Sequence, residues 1–337
     1  MIQNFMRVAI GVAIAASFGT LNHVQAATPL GLTVSPPTYE LSANPGDSLN
    51  NTIRITNDSD SAVTLQVSTQ DFTVGGTEGS VSVLNDSVDP AAFSKWFRFP
   101  TTQLQLAPKA SALVPFTITV PKQAEPGGHF ATVLFNPVVT ANATSTGARV
   151  IQRVGSLILM RVSGAIKEQG SIESFHTKTF KGSWQSITGS DGKTKILVAS
   201  AEDLRGEHKQ SFFSKGPIAF DILFKNSGNV HFKPAGTVTI YNLFGKKVDQ
   251  LAINPRNVFP GGERRITVIW PKTDLWGGYY SAHAAAVYGS ENKILTAETK
   301  FWAFPLIPFL IILVVLVLLI VLRHRLLNAA RVLIRGR

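Results

Sequence analysis

Short runs in which apolar and polar residues alternate fill most of the chain between residues 27 and 301. In the first half they are "NTIRITN" (Asn51–Asn57), "AVTLQVS" (Ala62–Ser68), "SVSVL" (Ser80–Leu84), "KWFRF" (Lys95–Phe99), "LVPFTITV" (Leu113–Val120) and "HFATVLF" (His129–Phe135). Turn-forming clusters such as "NDSDS", "VGGTEGS" and "AEPGG" separate them. A period of two puts successive side chains on opposite faces of a strand, and β-branched residues suit that pleat. No stretch here sustains the 3.6-residue period of an amphipathic helix. Short strands at this spacing predict β-sandwiches. A small, polar stretch, Val138–Val150, reads as a hairpin loop in preference to a linker. Val150–Gly164 then predicts the strand that completes a first sandwich, with a boundary near Ala165–Gly170. The second half repeats the style in "SIESFHTKTF", "TKILVAS", "PIAFDILFKN", "GTVTIYNLFG" and "RRITVIWP", with Asp191-Gly192 as a hairpin turn.

Two segments match in detail. "PKQAEPGGHF" (Pro121–Phe130) and "PKTDLWGGYY" (Pro271–Tyr280) both read Pro-Lys, four variable residues, Gly-Gly and two rings, 150 positions apart. Upstream of each, a strand ends in Asn and a polar turn, at Asn57 and at Asn226. Proline ends a strand because it cannot donate to the ladder, and the Gly-Gly pair permits a tight corner. The reading is one strand-to-strand corner used in two related sandwiches, like the E–F corner of immunoglobulin-like domains. Tyr280, Ala282, Ala284, Ala286 and Tyr288 are assigned inward, and Phe130 is taken as the counterpart of Tyr280. The Asn-to-Pro distance is 64 residues in the first copy and 45 in the second, an excess of 19 placed at "VGGTEGSVSVLNDSVDP" (Val74–Pro90).

The ends differ from the middle. Arg7, the apolar run Val8–Phe18 and Val24-Gln25-Ala26 fit a signal peptide cleaved after Ala26, with an uncleaved anchor as the alternative. Trp302–Leu322 is a charge-free stretch of 21 residues, which predicts a membrane-spanning helix. Its outer edge carries Phe301, Trp302 and Phe304, and five arginines follow it without an acid, which predicts a cytoplasmic tail. No Leu-Pro-x-Thr-Gly sorting signal precedes it, so retention in the membrane is expected. Expected divisions are therefore a signal peptide (1–26), two sandwiches (27–167 and 168–301), a span (302–322) and a basic tail (323–337). The fold class is all-β: two tandem immunoglobulin-like β-sandwiches plus one C-terminal transmembrane helix.

Charge then narrows the function. The net charge is +11, but the tail arginines and Arg7 account for six of the 32 basic residues. The remaining 26 against 21 acidic residues give +5, which does not point to nucleic acid. There is no cysteine, so thiol chemistry, disulfides and cysteine metal sites are excluded.

Candidate chemistry is sparse. His129, His176, His208, His231 and His283 lack zinc spacing. No nucleophile elbow, phosphate loop or dinucleotide fingerprint occurs. Asp58 and Asp60 lack the glycine and distal glutamate of a calcium loop, which favours a solvated turn. Glu202, Asp203, Arg205, Glu207, His208 and Lys209 form the densest charged loop and could make an acid–base site or simply solvate a hairpin end. In "SKWFRFP" (Ser94–Pro100), a strand would point Trp96 and Phe97 to opposite faces, leaving one ring beside Lys95 or Arg98 for sugar or peptide contact; a core Trp is the plainer alternative.

The stretches "VSPPTYELSANPGDSLNNTIRITND", "VPFTITVPKQAEPGGHFATVLF" and "RVGSLILMRVSG" resemble the WxL-interacting family of bacterial surface proteins. That resemblance implies an export signal, two immunoglobulin-like domains, a single span, peptidoglycan contact by the first domain and protein contact by the second. "NSGNVHFKPAGTVTIYNLFGKKV" also looks like a broader class of immunoglobulin-like surface domains. The expected protein is a non-enzymatic, membrane-anchored surface protein for adhesion or scaffolding, with peptidoglycan, surface proteins and, through 302–322, membrane lipid as partners. A tethered chaperone or accessory subunit of an exported assembly is the alternative, since the first sandwich also looks loosely like that of pilus chaperones. No cofactor and no catalytic residue is expected, and no ligand-binding residue is assigned.

Overall fold

The computed structural model describes residues 31–84, 91–138, 153–180, 183–189, 192–198, 209–273, 275 and 278–335. Within 183–198, 306–308 and 324–335 only the backbone is described. The signal-peptide reading, most of the Val138–Val150 loop and Glu202–His208 of the charged loop lie outside these residues.

The first ten strands are β1 (Leu32–Ser35), β2 (Thr38–Ala43), β3 (Ser48–Asn57), β4 (Val63–Gly75), β5 (Ser80–Val83), β6 (Phe97–Arg98), β7 (Gln103–Leu106), β8 (Ser111–Thr119), β9 (Gly127–Pro137) and β10 (Val154–Val162). They form two sheets. One has the order β1-β3-β8-β6 and the other β2-β10-β9-β4-β5, with β7 also pairing β4. Between β1 and β2 the chain changes sheets: β1 pairs β3 antiparallel, whereas β2 pairs β10 parallel. Alternation builds the core between them. Ile53 and Ile55 of β3, Leu65 and Val67 of β4, Phe116 and Ile118 of β8, Val133 and Phe135 of β9, and Ile158 and Met160 of β10 are buried in one cluster. Each such side chain contributes about 1.5–3 kcal/mol on leaving water.

The remaining strands are β11 (Gly170–Thr179), β12 (Ser183–Gly189), β13 (Gly192–Val198), β14 (Phe212–Phe213), β15 (Ile218–Asn226), β16 (Ala235–Asn242), β17 (Lys247–Ile253), β18 (Glu263–Trp270), β19 (Gly278–Tyr288) and β20 (Lys293–Ala303). A three-stranded sheet, β11-β15-β18, faces a five-stranded one, β14-β20-β19-β16-β17, while β12 and β13 pair as a separate hairpin. A second cluster fills the space, with Phe220, Phe224, Trp270, Tyr280 and Phe301 among its buried rings. Tyr280, Ala282, Ala284, Ala286 and Tyr288 all face it, as the alternation of β19 predicts. The architecture is thus all-β and immunoglobulin-like, with four sheets packed in pairs around two cores.

Two expectations need correction. "KWFRF" is not one strand: Phe93–Trp96 is a 3-10 helix and only Phe97–Arg98 is strand, so two-residue alternation does not apply across it. Trp96 and Phe97 are consequently both buried, at 6% and 5% exposure. The membrane-spanning segment at 302–322, and with it the single-pass localisation and the cytoplasmic tail, is also overturned. Trp302 and Ala303 belong to β20, paired with Tyr279 and Gly278. A helix, α1 (Leu306–Arg335), follows. Among the described residues no helix is long and apolar enough to cross a membrane.

Candidate functional site

The two asparagines that close matching strands are built alike. Asn57 Nδ2 donates to the carbonyls of Ser61 (2.8 Å) and Ala107 (3.0 Å), and its Oδ1 accepts from Ser59 N (3.1 Å). Asn226 Nδ2 donates to the carbonyls of Val230 (2.8 Å) and Val258 (2.9 Å), and its Oδ1 accepts from Gly228 N (2.9 Å). Both are fully buried. Each therefore pins a turn two and four residues on and ties it to a distant strand connection. The second tie spans 50 residues in the first half and 32 in the second, which puts 18 of the surplus residues between Asn57 and Ala107. Part of that surplus is the distal end of β4, paired with β5 from Phe72 to Gly75.

The tip of this hairpin reaches the other half. Arg265 N of β18 donates to Thr77 O at 2.7 Å, and the Arg264 guanidinium packs over Gly79. Burial, aided by Arg256 and opposed by Glu78, lowers the Arg264 pKa. The first Gly-Gly corner makes a second contact. Gly127 has φ 137°, and a Cβ there would stand 3.0 Å from Asn229 O. Gly128 N donates to that same oxygen at 2.7 Å. Asn229 Oδ1 accepts from Lys167 N (2.8 Å), while Nδ2 donates to the carbonyls of Ala165 (3.2 Å) and Pro126 (3.3 Å). One side chain thus joins the corner, the connection between β10 and β11, and the turn after β15.

Aromatic and charged contacts complete the joint. Phe130 lies 5.0 Å from Phe259 and 5.7 Å from His231, ring centre to ring centre, and Phe72 lies 6.0 Å from both Phe130 and Phe259. Glu40 of β2 pairs with Lys233 and accepts from Asn257 Nδ2 at 3.4 Å. Burial raises the Glu40 pKa, but Lys233, Asn257 and His231 together outweigh it and leave the carboxyl below its usual range. Burial lowers His231, with Lys233 and Arg161 acting the same way and Glu40 against them. Arg161 of β10 pairs with Glu168 at 2.7 Å, and Glu168 accepts from Ser290 N at 2.8 Å.

The first corner therefore does a job that the second does not. Phe130 is not the counterpart of Tyr280 in packing. Ala131, Val133 and Phe135 face the first core, and His129 stands 4.8 Å from the buried Trp96 ring. In β19 the inward set begins at Tyr280. The two strands leave their corners one residue out of phase, and a one-residue shift exchanges faces. Phe130 is thus turned outward onto the other half.

Other expected residues stay apart. Lys95 and Arg98 are exposed, Arg98 donating to the carbonyls of Lys95 (2.8 Å) and Phe97 (2.9 Å). Asp60 pairs with Lys109 at 3.0 Å and Asp58 accepts from Thr33 Oγ1, so that turn is satisfied within the fold. His283 stands beside Tyr241 on an exposed sheet face. His208 and the acids of its loop lie outside the described residues. No grouping of metal-ligating side chains occurs among the described residues. A shallow cavity of about 210 Å³ lies between Pro100, Leu104, Val114 and Pro115, with no titratable lining group. The joint was not visible in the sequence, although the surplus residues of the first copy pointed to one of its parts.

No protein-family model matches the chain, and no curated protein does. Solved structures are similar in shape at low identity. One comes from a study of the chaperone–tip adhesin complex in CFA/I fimbriae biogenesis: 12% identity, TM-score 0.39, 80% of this chain and 98% of that one. The class 5 fimbriae chaperone CfaA gives 14%, 0.37, 80% and 99%. The Pseudomonas aeruginosa CupB2 chaperone gives 11%, 0.33, 79% and 98%.

Proposed function

We propose that the chain is a non-catalytic accessory protein of an exported assembly, and that it holds a protein partner against a frame of two immunoglobulin-like domains. The observation that carries this reading is the joint. Polar contacts through Asn229, the Thr77–Arg265 backbone bond and the Phe72–Phe130–Phe259–His231 cluster tie the sandwiches together in several places. A frame held at several points presents surfaces of both halves to one partner in a constant arrangement, which lowers the ordering cost of binding. A simple tether needs no such joint. The burial of Trp96 and Phe97 also removes the ring that sugar stacking in the wall-polymer reading would use.

The test is reconstitution with candidate surface proteins from the same cell, followed by cross-linking and mass spectrometry. A stoichiometric complex cross-linked to both halves, weakened by Asn229→Ala, is the expected result. Retention on purified peptidoglycan with no protein complex would replace this reading with the wall-polymer one.

A further inference from the structure

Lys178 of β11 and Asp221 of β15 face each other with Nζ 2.7 Å from Oδ2, at side-chain exposures of 6% and 1%. They lie on the face of their sheet turned away from the second core, because Phe220 and Ile222 on either side of Asp221 face inward. Thr267 of β18 stands opposite Asp221 and donates to Oδ1 at 2.7 Å. Oδ2 makes no hydrogen bond of ordinary geometry beside the amine it pairs with. On the other flank, His176 is the direct cross-strand partner of Asp221. Both ring nitrogens of His176 are buried without hydrogen-bond partners. Burial above all lowers the pKa of that ring, with Asp221 opposing and Lys209, Arg265 and Lys178 adding to the lowering.

Two opposite charges withdrawn from water cost several kcal/mol per ion, and their attraction offsets this only with good geometry and full hydrogen bonding. Here the carboxylate has one firm hydrogen bond and the imidazole has none. Condensation would remove both charges and leave a neutral amide. It would also convert proximity into a bond, since buried partners held side by side react with a large effective concentration.

We propose that Lys178 and Asp221 condense into an intramolecular amide that staples β11 to β15. The ion pair exchanges one proton, giving a neutral amine and a carboxylic acid. Nζ attacks Cγ and forms the N–C bond, and the imidazole of His176 takes the proton that Nζ sheds. The Cγ–Oδ2 bond breaks, and that oxygen leaves as water with the carboxyl proton and the proton returned from His176. No atom changes oxidation state and no co-reactant is needed.

Mass spectrometry of the full-length chain tests this without altering it. The expected result is a denatured mass lower by one water, with a branched peptide joining the segments around Lys178 and Asp221 after digestion. Asp191-Gly192 could lose a water by cyclising, so fragmentation must place the loss on the branched peptide. Lys178→Arg and Asp221→Ala should each restore the missing water, and His176→Phe should slow amide formation in freshly synthesised chain. A chain of full mass with no branched peptide, or a water loss mapped only to Asp191-Gly192, overturns the proposal.

Discussion

Replacing Asn226 with alanine tests the physical basis of the repeat most directly. Its amide fills a buried node between two strand ends and makes three hydrogen bonds of 2.8–2.9 Å, all to backbone groups. Truncation leaves the carbonyls of Val230 and Val258 and the Gly228 N–H without that partner. A hydrogen bond contributes about 0.5–1.5 kcal/mol net, and a buried group left unpaired costs about 1–3 kcal/mol. Gly228 and the turn around it are only half-buried, so water can replace part of the loss. We therefore take the lower end for each bond and expect a destabilisation of about 2–4 kcal/mol. Asn226→Asp should cost at least as much, because an oxygen would then face the two carbonyls. Urea unfolding followed by tryptophan fluorescence measures the effect, since Trp270 sits fully buried in the same half. Asn57→Ala should give a similar loss in the first half, read from Trp96. If Asn226→Ala cost less than about 0.5 kcal/mol, the polar node would be an accommodation to the turn and not what fixes it.

Phe259→Ala removes three ring contacts at 5.0–6.1 Å from the joint. With pairs worth about 0.5–1.5 kcal/mol each, it should loosen the joint by about 2 kcal/mol, seen as faster amide exchange at Gly128 while core amides keep their protection. The joint should also weaken in acid. His231 has a lowered pKa when closed, so the open form alone takes up a proton as pH falls below about 6.5, and closure is lost down to the lowered value. Glu40, also lowered, adds a second loss below about 4.5, and exchange at Gly128 from pH 7 down to about 3 should show both, the first disappearing in His231→Phe. Phe244, 88% exposed at the turn between β16 and β17, should tolerate serine with a stability change within about 0.5 kcal/mol by thermal melt.

Local chemistry explains which parts of this architecture could be read from the chain. Alternation marked the strands and the inward face of β19, because burial on one face leaves a period-two trace wherever the strand is regular. The buried asparagines and the Pro-Lys-x4-Gly-Gly corners were legible for the same reason: each solves a problem a few residues long. The 3-10 helix at Phe93–Trp96 broke the rule because its four residues read equally well as strand. The apolar stretch from Trp302 misled because its first residues are claimed by pairing with β19 and β14, a tertiary demand that leaves no mark on hydropathy.

The joint and the Lys178–Asp221 pair were invisible for a deeper reason. Asn229 and Lys167 lie 62 positions apart, Glu40 and Asn257 lie 217 apart, and nothing in either segment requires the other. Phe130 shows how small the cause can be. Both corners spell the same motif, and both are followed by a ring two residues after the glycines. A one-residue difference in how the next strand enters its sheet sends Tyr280 into the second core and Phe130 out onto the other half. The repeat therefore set the shape of each sandwich, whereas the phase of one strand, reinforced by the surplus hairpin that only the first copy carries, decided that the sandwiches would be locked together.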